Sequence, residues 1–527
     1  MKHFTLLFAY LMSFLATAQT AEYWVYFKDK PHAEQAIAEG RLAIGEEALE
    51  KRFLRGVPID AKDVAVSSDF TRELRSMGAE VVGTSRWLNA AVVRWTGNSL
   101  DLARLKCVRK VEAVRQWGAG TAAYSHSMGS TSLDYGSSAQ QIQLLNGQYL
   151  HEDGYTGAGV RIAVLDAGFA NAYAMTTFDS MYMDQRMVDS YDFVHGDTNV
   201  YDAGGGHGTA VLSCMAALNP DTLIGTAPHA EYALYTTENV FSETRQEEYN
   251  WIFGAERADS IGCDIINSSL GYYEMDDPSQ SYSFSQMDGG STVVTRGADA
   301  AASRGLLVVS SAGNEGFSSW QRIIAPCDGD SVFCIGGVSL TGAFAFFSSR
   351  GPSADGRVKP NVSAAAASVQ VANGSDVPVP ANGTSFSSPT IAGLMACAWQ
   401  KYPTKTNWDL MKAVEFISNR YWAPDSLTGF GIPDFSRIDE RLTAEGEVLE
   451  RRNLEVFPNP SNGDIRFELD GNEGSASWHL MDLFGRTMQS GTSENGRSTL
   501  SLRLPAGTYI LKVVAQAQIG IQRIEIR

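Results

Sequence analysis

Residues 161–168, RIAVLDAG, decide the fold. An uninterrupted run of branched apolar residues that stops at small ones suits a strand buried on both faces, as a parallel sheet requires. Three later stretches repeat the pattern: CDIINSSLG (263–271), LLVVSSAG (306–313) and VFCIGGVS (332–339). Helical stretches separate them, so residues 140–445 read as an α/β unit with a parallel sheet and helices on both faces. Ligands of such sheets bind at the carboxyl ends of the strands.

The chain changes character on either side of this unit. Residues 22–117 alternate strand-like and helix-like stretches in the order β-α-β-β-α-β, from YWVYFKD (23–29) to VRKVEAVRQW (108–117), which suggests a small ferredoxin-like α+β domain. A stretch rich in Gly, Ser, Ala and Thr follows, and residues 118–139 read as an exposed linker open to cutting. Residues 452–527 alternate with period two between glycine turns and suggest a small β-sandwich.

The amino terminus, MKHFTLLFAYLMSFLATAQT, has a basic start at Lys2, an apolar run from Phe4 to Leu15, and Ala16 and Ala18 flanking Thr17. It reads as a signal peptide over residues 1–18, followed by a domain from residue 19 to 117. The apolar run is too short for a membrane anchor, and no later stretch reads as a transmembrane segment. A net charge of −18 argues against a nucleic-acid partner. Export permits disulfides, and Cys327 with Cys334 in CDGDSVFC form the expected pair. Cys214, Cys263 and Cys397 sit in apolar surroundings and read as core. No cysteine–histidine cluster suggests a metal site.

Four polar residues stand where small neighbours leave the backbone open. Asp166 ends a strand; His207 lies in GGGHGTAV (204–211); Asn314 lies in VVSSAGNEG (308–316); Ser385 follows a glycine before a helical stretch whose first turn is expected to hold Pro389. Each alone has an ordinary reading as a helix cap or turn residue. Together and in this order they resemble the subtilases, the subtilisin-like serine proteases. Asp166-Ala167-Gly168, His207-Gly208-Thr209 and Gly383 to Pro389 match the three catalytic motifs, and SSLG (268–271) and AGNEG (312–316) match the substrate-strand and oxyanion segments. The sequence departs from the pattern at Ala167, often Ser or Thr, and at Ala210, often a second histidine. Neither change removes a catalytic group.

The resemblance implies a secreted serine endopeptidase acting on protein or peptide substrates. Asp166, His207 and Ser385 would form the triad, Asn314 would serve the oxyanion, and Ser269, Leu270, Gly271, Ala312 and Gly313 would bind substrate, the small residues leaving room for a large side chain. It also implies that residues 19–117 are a prodomain that assists folding and blocks the cleft, with the maturation site in the linker. No cofactor is required. Calcium is frequent in the family, and CDGDSVF leaves a structural calcium open, although that stretch alone lacks the six oxygens it needs. VFPNPSNGDIRFEL (456–469), MDLFGRTMQSG (481–491) and LPAGTYILKV (504–513) resemble the sorting domain of the type IX secretion system of Bacteroidetes. That adds the secretion machinery as a partner and a secreted or cell-surface location reached through the periplasm. The competing reading is an inactive subtilase-fold surface binding or scaffold protein.

Overall fold

The computed structural model describes residues 21–114, 135–202, 205–374, 376–443, 450–472, 474–515 and 518–527. The expected signal peptide and residues 118–134 of the expected linker lie outside them.

Seven parallel strands form the central sheet, in the order Val362–Ala367, Val332–Ser339, Leu307–Ser311, Ile265–Ser268, Arg161–Asp166, Glu231–Thr236 and Met187–Asp192. The four apolar runs quoted above are four of these strands. Because side chains alternate across a strand, each run feeds two cores. Ile162 and Val164 pack with the helices His207–Ala216 and Thr384–Lys401 on one face. Ala163 and Leu165 pack with Arg245–Ser260 and Val293–Ser303 on the other. This is the subtilisin-like arrangement expected, with helices on both faces.

The amino-terminal domain is a four-stranded antiparallel sheet in the order Glu80–Ser85, Ala90–Trp95, Ala21–Phe27 and Val108–Val114. The two crossover helices are Ser68–Ser76 and Ser99–Ala103. Two helices that the periodicity did not reveal, Ala33–Ala38 and Glu46–Arg55, precede the first of these. Val25 and Phe27 face the domain's own helices, whereas Trp24 and Tyr26 face the larger unit. The Trp24 ring packs edge-on against Tyr249 at 6.2 Å and tilts against Phe253 at 6.1 Å.

Buried ion pairs frame this contact. Arg52 and Arg86 both reach Asp259, at 2.7 and 2.8 Å. Lys51 and Arg55 both reach Asp264, each at 2.7 Å. Burial opposes charge on both aspartates, but the facing cations outweigh it and hold their carboxyls below the ordinary value of 3.8.

The carboxyl-terminal domain is a sandwich of a five-stranded and a three-stranded sheet around Trp478, Leu480, Leu511 and Phe467. The strands are Glu450–Arg451, Gln518–Ile526, Gly507–Ala515, Ala476–Asp482 and Thr487–Ser493 in the larger sheet, and Leu454–Phe457, Asp464–Leu469 and Arg497–Ser501 in the smaller. Among the described residues no helix is long and apolar enough to cross a membrane.

Candidate active site

Asp166 is the last residue of its strand and is fully buried. Its Oδ1 accepts hydrogen bonds from Nδ1 of His207 at 2.7 Å and from the N–H of Ala167 at 2.8 Å. A carboxylate partner requires the proton on Nδ1, which leaves Nε2 of a neutral ring as the basic nitrogen. Burial disfavours the charged ring, yet the Asp166 charge and hydrogen bond outweigh it and raise the His207 pKa above 6.5. The His207 side chain remains 40% exposed.

His207 opens the helix His207–Ala216. The glycine after it is needed for close approach: a Cβ on Gly208 would lie 2.4 Å from the Gly168 carbonyl and 3.1 Å from the Asp166 carboxylate. No side chain fits where the helix end meets the Asp166 strand.

Ser385 lies at the head of the helix Thr384–Lys401, behind Gly383, whose φ of +152° suits glycine. The helix starts at Thr384, so Pro389 stands inside it, in its second turn and not in its first as expected. The His207 ring packs 6.2 Å from that of Phe386, the residue next to Ser385. Among the described residues no hydrogen bond joins His207 to the Ser385 hydroxyl.

Asn314 is held by its oxygen. Its Oδ1 accepts from the N–H of Thr384 at 2.9 Å and from the Thr384 hydroxyl at 3.1 Å. This fixes the amide and leaves its NH₂ for another acceptor. The position that a Cβ of Gly383 would take is 3.7 Å from Asn314 Nδ2 and 3.7 Å from the Ser385 nitrogen. Two N–H donors therefore flank one small space at the positive end of a helix. Thr384, within the serine motif, was not singled out for this role.

Ser269 and Leu270 follow the strand Ile265–Ser268, and Ser269 donates to the main-chain carbonyl of Ser385. Further into the helix, Ser388 donates to Oδ1 of Asn267 within that strand at 2.9 Å. Gly271 and Gly313 both lie against one branched side chain. A Cβ on either would meet the Ile324 side chain, at 2.3 Å and 2.9 Å, and Ile324 had escaped the sequence reading. Ala312 is buried beside the Cys327–Cys334 disulfide, which forms as expected.

A cavity of about 410 Å³ opens beside Ala167, Leu270 and Gly271. Glu238 and Glu243 line it; burial pushes their carboxyls up to about 7 and about 8, with neighbouring carboxylates adding to the rise and bonds from Tyr272 and Thr237 opposing it at Glu238. No motif announced these residues.

His195 pairs with Asp192 at 2.8 Å but is 62% exposed, and His229 bonds Thr156 at 3.0 Å. Cys214, Cys263 and Cys397 are buried thiols, as is Cys107. In the CDGDSVFC turn, Asp328 accepts from the Thr295 hydroxyl with one oxygen and from the Gly289 N–H with the other. Among the described residues no group of three or more histidine, cysteine or acidic side chains is placed to hold a metal ion.

Comparison with known proteins follows the same three-part division. Residues 157–431 match the subtilase family. Residues 22–128 match the peptidase S8 propeptide domain of Bacteroidota, and residues 455–527 a secretion system C-terminal sorting domain. Subtilisin E of Bacillus subtilis (strain 168) is 31% identical over 389 residues, covering 72% of this chain and 89% of the relative. Subtilisin of Bacillus pumilus is 34% identical over 277 residues, covering 52% and 89%. The crystal structure of MycP1 from the ESX-1 type VII secretion system superimposes with a TM-score of 0.45 at 20% identity, covering 56% of this chain and 84% of that one.

Proposed function

The chain belongs to the subtilase family and is a secreted subtilisin-like serine endopeptidase, and from that premise we propose that Asp166, His207 and Ser385 are its triad and that the enzyme matures by cutting its own linker. The observation that carries the reading is the 2.7 Å bond from His207 to buried Asp166. It sets the tautomer that a general base needs.

A serine hydroxyl is a weak nucleophile at neutral pH. His207 Nε2 takes its proton as Oγ of Ser385 attacks the scissile carbonyl, and Asp166 stabilises the imidazolium that forms. The carbonyl oxygen gains negative charge and moves into the space flanked by Asn314 Nδ2 and the Ser385 N–H. Those donors are held in place before the reaction, so little reorganisation is needed when charge develops. His207 then returns the proton to the leaving amine, and water releases the acyl group by the same steps. Substrate binds extended along Ser269–Gly271 and Ala312–Gly313, through main-chain hydrogen bonds.

The propeptide keeps the precursor latent. Its last described strand ends at Val114, and the residues that follow contain the maturation site. A linker attached to the same molecule meets Ser385 at high effective concentration, so self-cutting outpaces attack by a second molecule. The carboxyl-terminal domain directs export by the type IX machinery to the surface or beyond, and no cofactor takes part in the chemistry.

Labelling with a fluorophosphonate probe tests the assignment. Wild type reacts at Ser385 and hydrolyses casein. Ser385→Ala does neither, and its purified chain keeps residues 22–114 attached. Casein hydrolysis by that variant would overturn the triad; trimming of it at the wild-type position would overturn self-processing alone.

A further inference from the structure

Two strands of the five-stranded sheet of the carboxyl-terminal domain are apolar on both faces. Along Gly507–Ala515, Leu511 and Val513 point into the sandwich, whereas Ile510 and Val514 point out. Along Gln518–Ile526, Ile524 and Ile526 point in, whereas Ile519 and Ile521 point out. A small sandwich ordinarily turns polar side chains to water on its outer face. Here Ile510 and Ile519 are fully buried, because Leu49 and Leu54 of the propeptide helix Glu46–Arg55 share a core with them.

That one helix divides its charges between two neighbours. Lys51, Arg52 and Arg55 pair with Asp264 and Asp259 of the catalytic unit. Glu47 and Glu50 pair with Arg451, and Glu46 with Arg523, at the rim of the carboxyl-terminal sheet. Its apolar stripe lies against the outer face of that sheet. The domains on either side thus contact the same ten residues through complementary charge.

We propose that the sorting domain clamps the propeptide onto the catalytic domain through the helix Glu46–Arg55, so that the precursor's latency depends on a domain remote from the cleft. Coupling of this kind is reciprocal. A force or partner that draws the sorting domain away weakens the hold of the propeptide, and departure of the propeptide uncovers the apolar outer face. The inference extends the latency reading above, but the docking itself can be measured without catalysis.

The experiment uses the full-length Ser385→Ala precursor and hydrogen–deuterium exchange. Ile519→Asp with Ile521→Asp places charge on the outer face; Arg451→Glu removes its rim pairs with Glu47 and Glu50, and Arg451→Glu with Glu47→Arg and Glu50→Arg restores them in reverse. Exchange in residues 46–55 should rise about tenfold in the first two, within the usual range of coupling between sites, and return towards the parent in the swap. Strand Ala476–Asp482, inside the sandwich, reports whether that domain stays folded. Unchanged exchange in residues 46–55 in both variants overturns the clamp. In chains that retain Ser385, the lag before peptidase activity should shorten by a similar factor, and an unchanged lag with raised exchange also overturns it. Absence of peptidase activity in the wild type would count against the catalytic reading and leave the exchange result to decide the clamp.

Discussion

The hydroxyl of Ser269 donates a 2.8 Å hydrogen bond to the main-chain carbonyl of Ser385. In a regular helix that carbonyl would accept from the N–H four residues on, but that residue is Pro389, which has none. The proline thus frees the carbonyl of the nucleophile, and the residue following the substrate strand takes it. One contact ties the helix that carries Ser385 to the segment along which substrate is proposed to lie.

Ser269→Ala should leave this buried carbonyl without a partner and cost about 1–3 kcal/mol. Pro389→Ala supplies an N–H to the same acceptor. The double variant should therefore be more stable than Ser269→Ala alone, as read from urea unfolding. Strict additivity of the two changes would show that they do not compete for one carbonyl.

Asn314→Ala should lower kcat by about 10²–10³ with little change in KM, because the amide meets its acceptor only in the transition state. Thr384→Val removes one of the two bonds that hold Asn314 Oδ1 and should lower kcat by a smaller factor. Steady-state kinetics on one peptide substrate checks both, and a change confined to KM would assign the residues to ground-state binding.

The pH profile of kcat/KM should show an acid limb above pH 6.5. The neutral ring is the base, and Asp166 favours the charged ring, so activity falls as pH drops through the raised His207 pKa. Asp166→Asn removes that charge. The residual activity should then have its acid limb moved to lower pH, and a limb that stays in place would mean another group titrates.

Ile324→Ala should widen the space beside Gly271 and Gly313, against which Ile324 packs. The ratio of kcat/KM for a peptide with a bulky side chain before the scissile bond to one with a small side chain should rise by about 10–200-fold at most, the usual yield of pocket shape. An unchanged ratio would place that side chain elsewhere.

Asp259→Ala would remove the buried partner that Arg52 and Arg86 share, leaving Asp63 to the one and Glu256 to the other. Breaking a buried pair in this way costs about 3–5 kcal/mol, so the precursor should lose propeptide docking. The same aspartate sets a pH limit. Its carboxyl is held below 3.8 in the docked state, so its contribution is complete above that value and is lost as pH falls through the depressed pKa. Calorimetry of the Ser385→Ala precursor across this range checks the sign.

Local pattern in the sequence determined the three-part architecture, because each part follows a period that neighbouring residues set: unbroken apolar runs for the doubly covered sheet, alternation for the sandwich. The motifs also named Asp166, His207, Asn314 and Ser385, since each requires a small neighbour in sequence. The helix Glu46–Arg55 was missed because its faces are divided between two neighbouring domains, and Ala33–Ala38 spans under two turns. Pro389 was read as a first-turn residue because proline is tolerated there. Its place in the second turn depends on Ser269, 116 residues away, taking the carbonyl it frees. Likewise Ile324 beside Gly271 and Gly313, Thr384 behind Asn314, and the propeptide helix between two domains are decided by tertiary structure alone. They are contacts between segments whose separation in the chain leaves no local trace, made where the sheet and its helices bring distant backbone close.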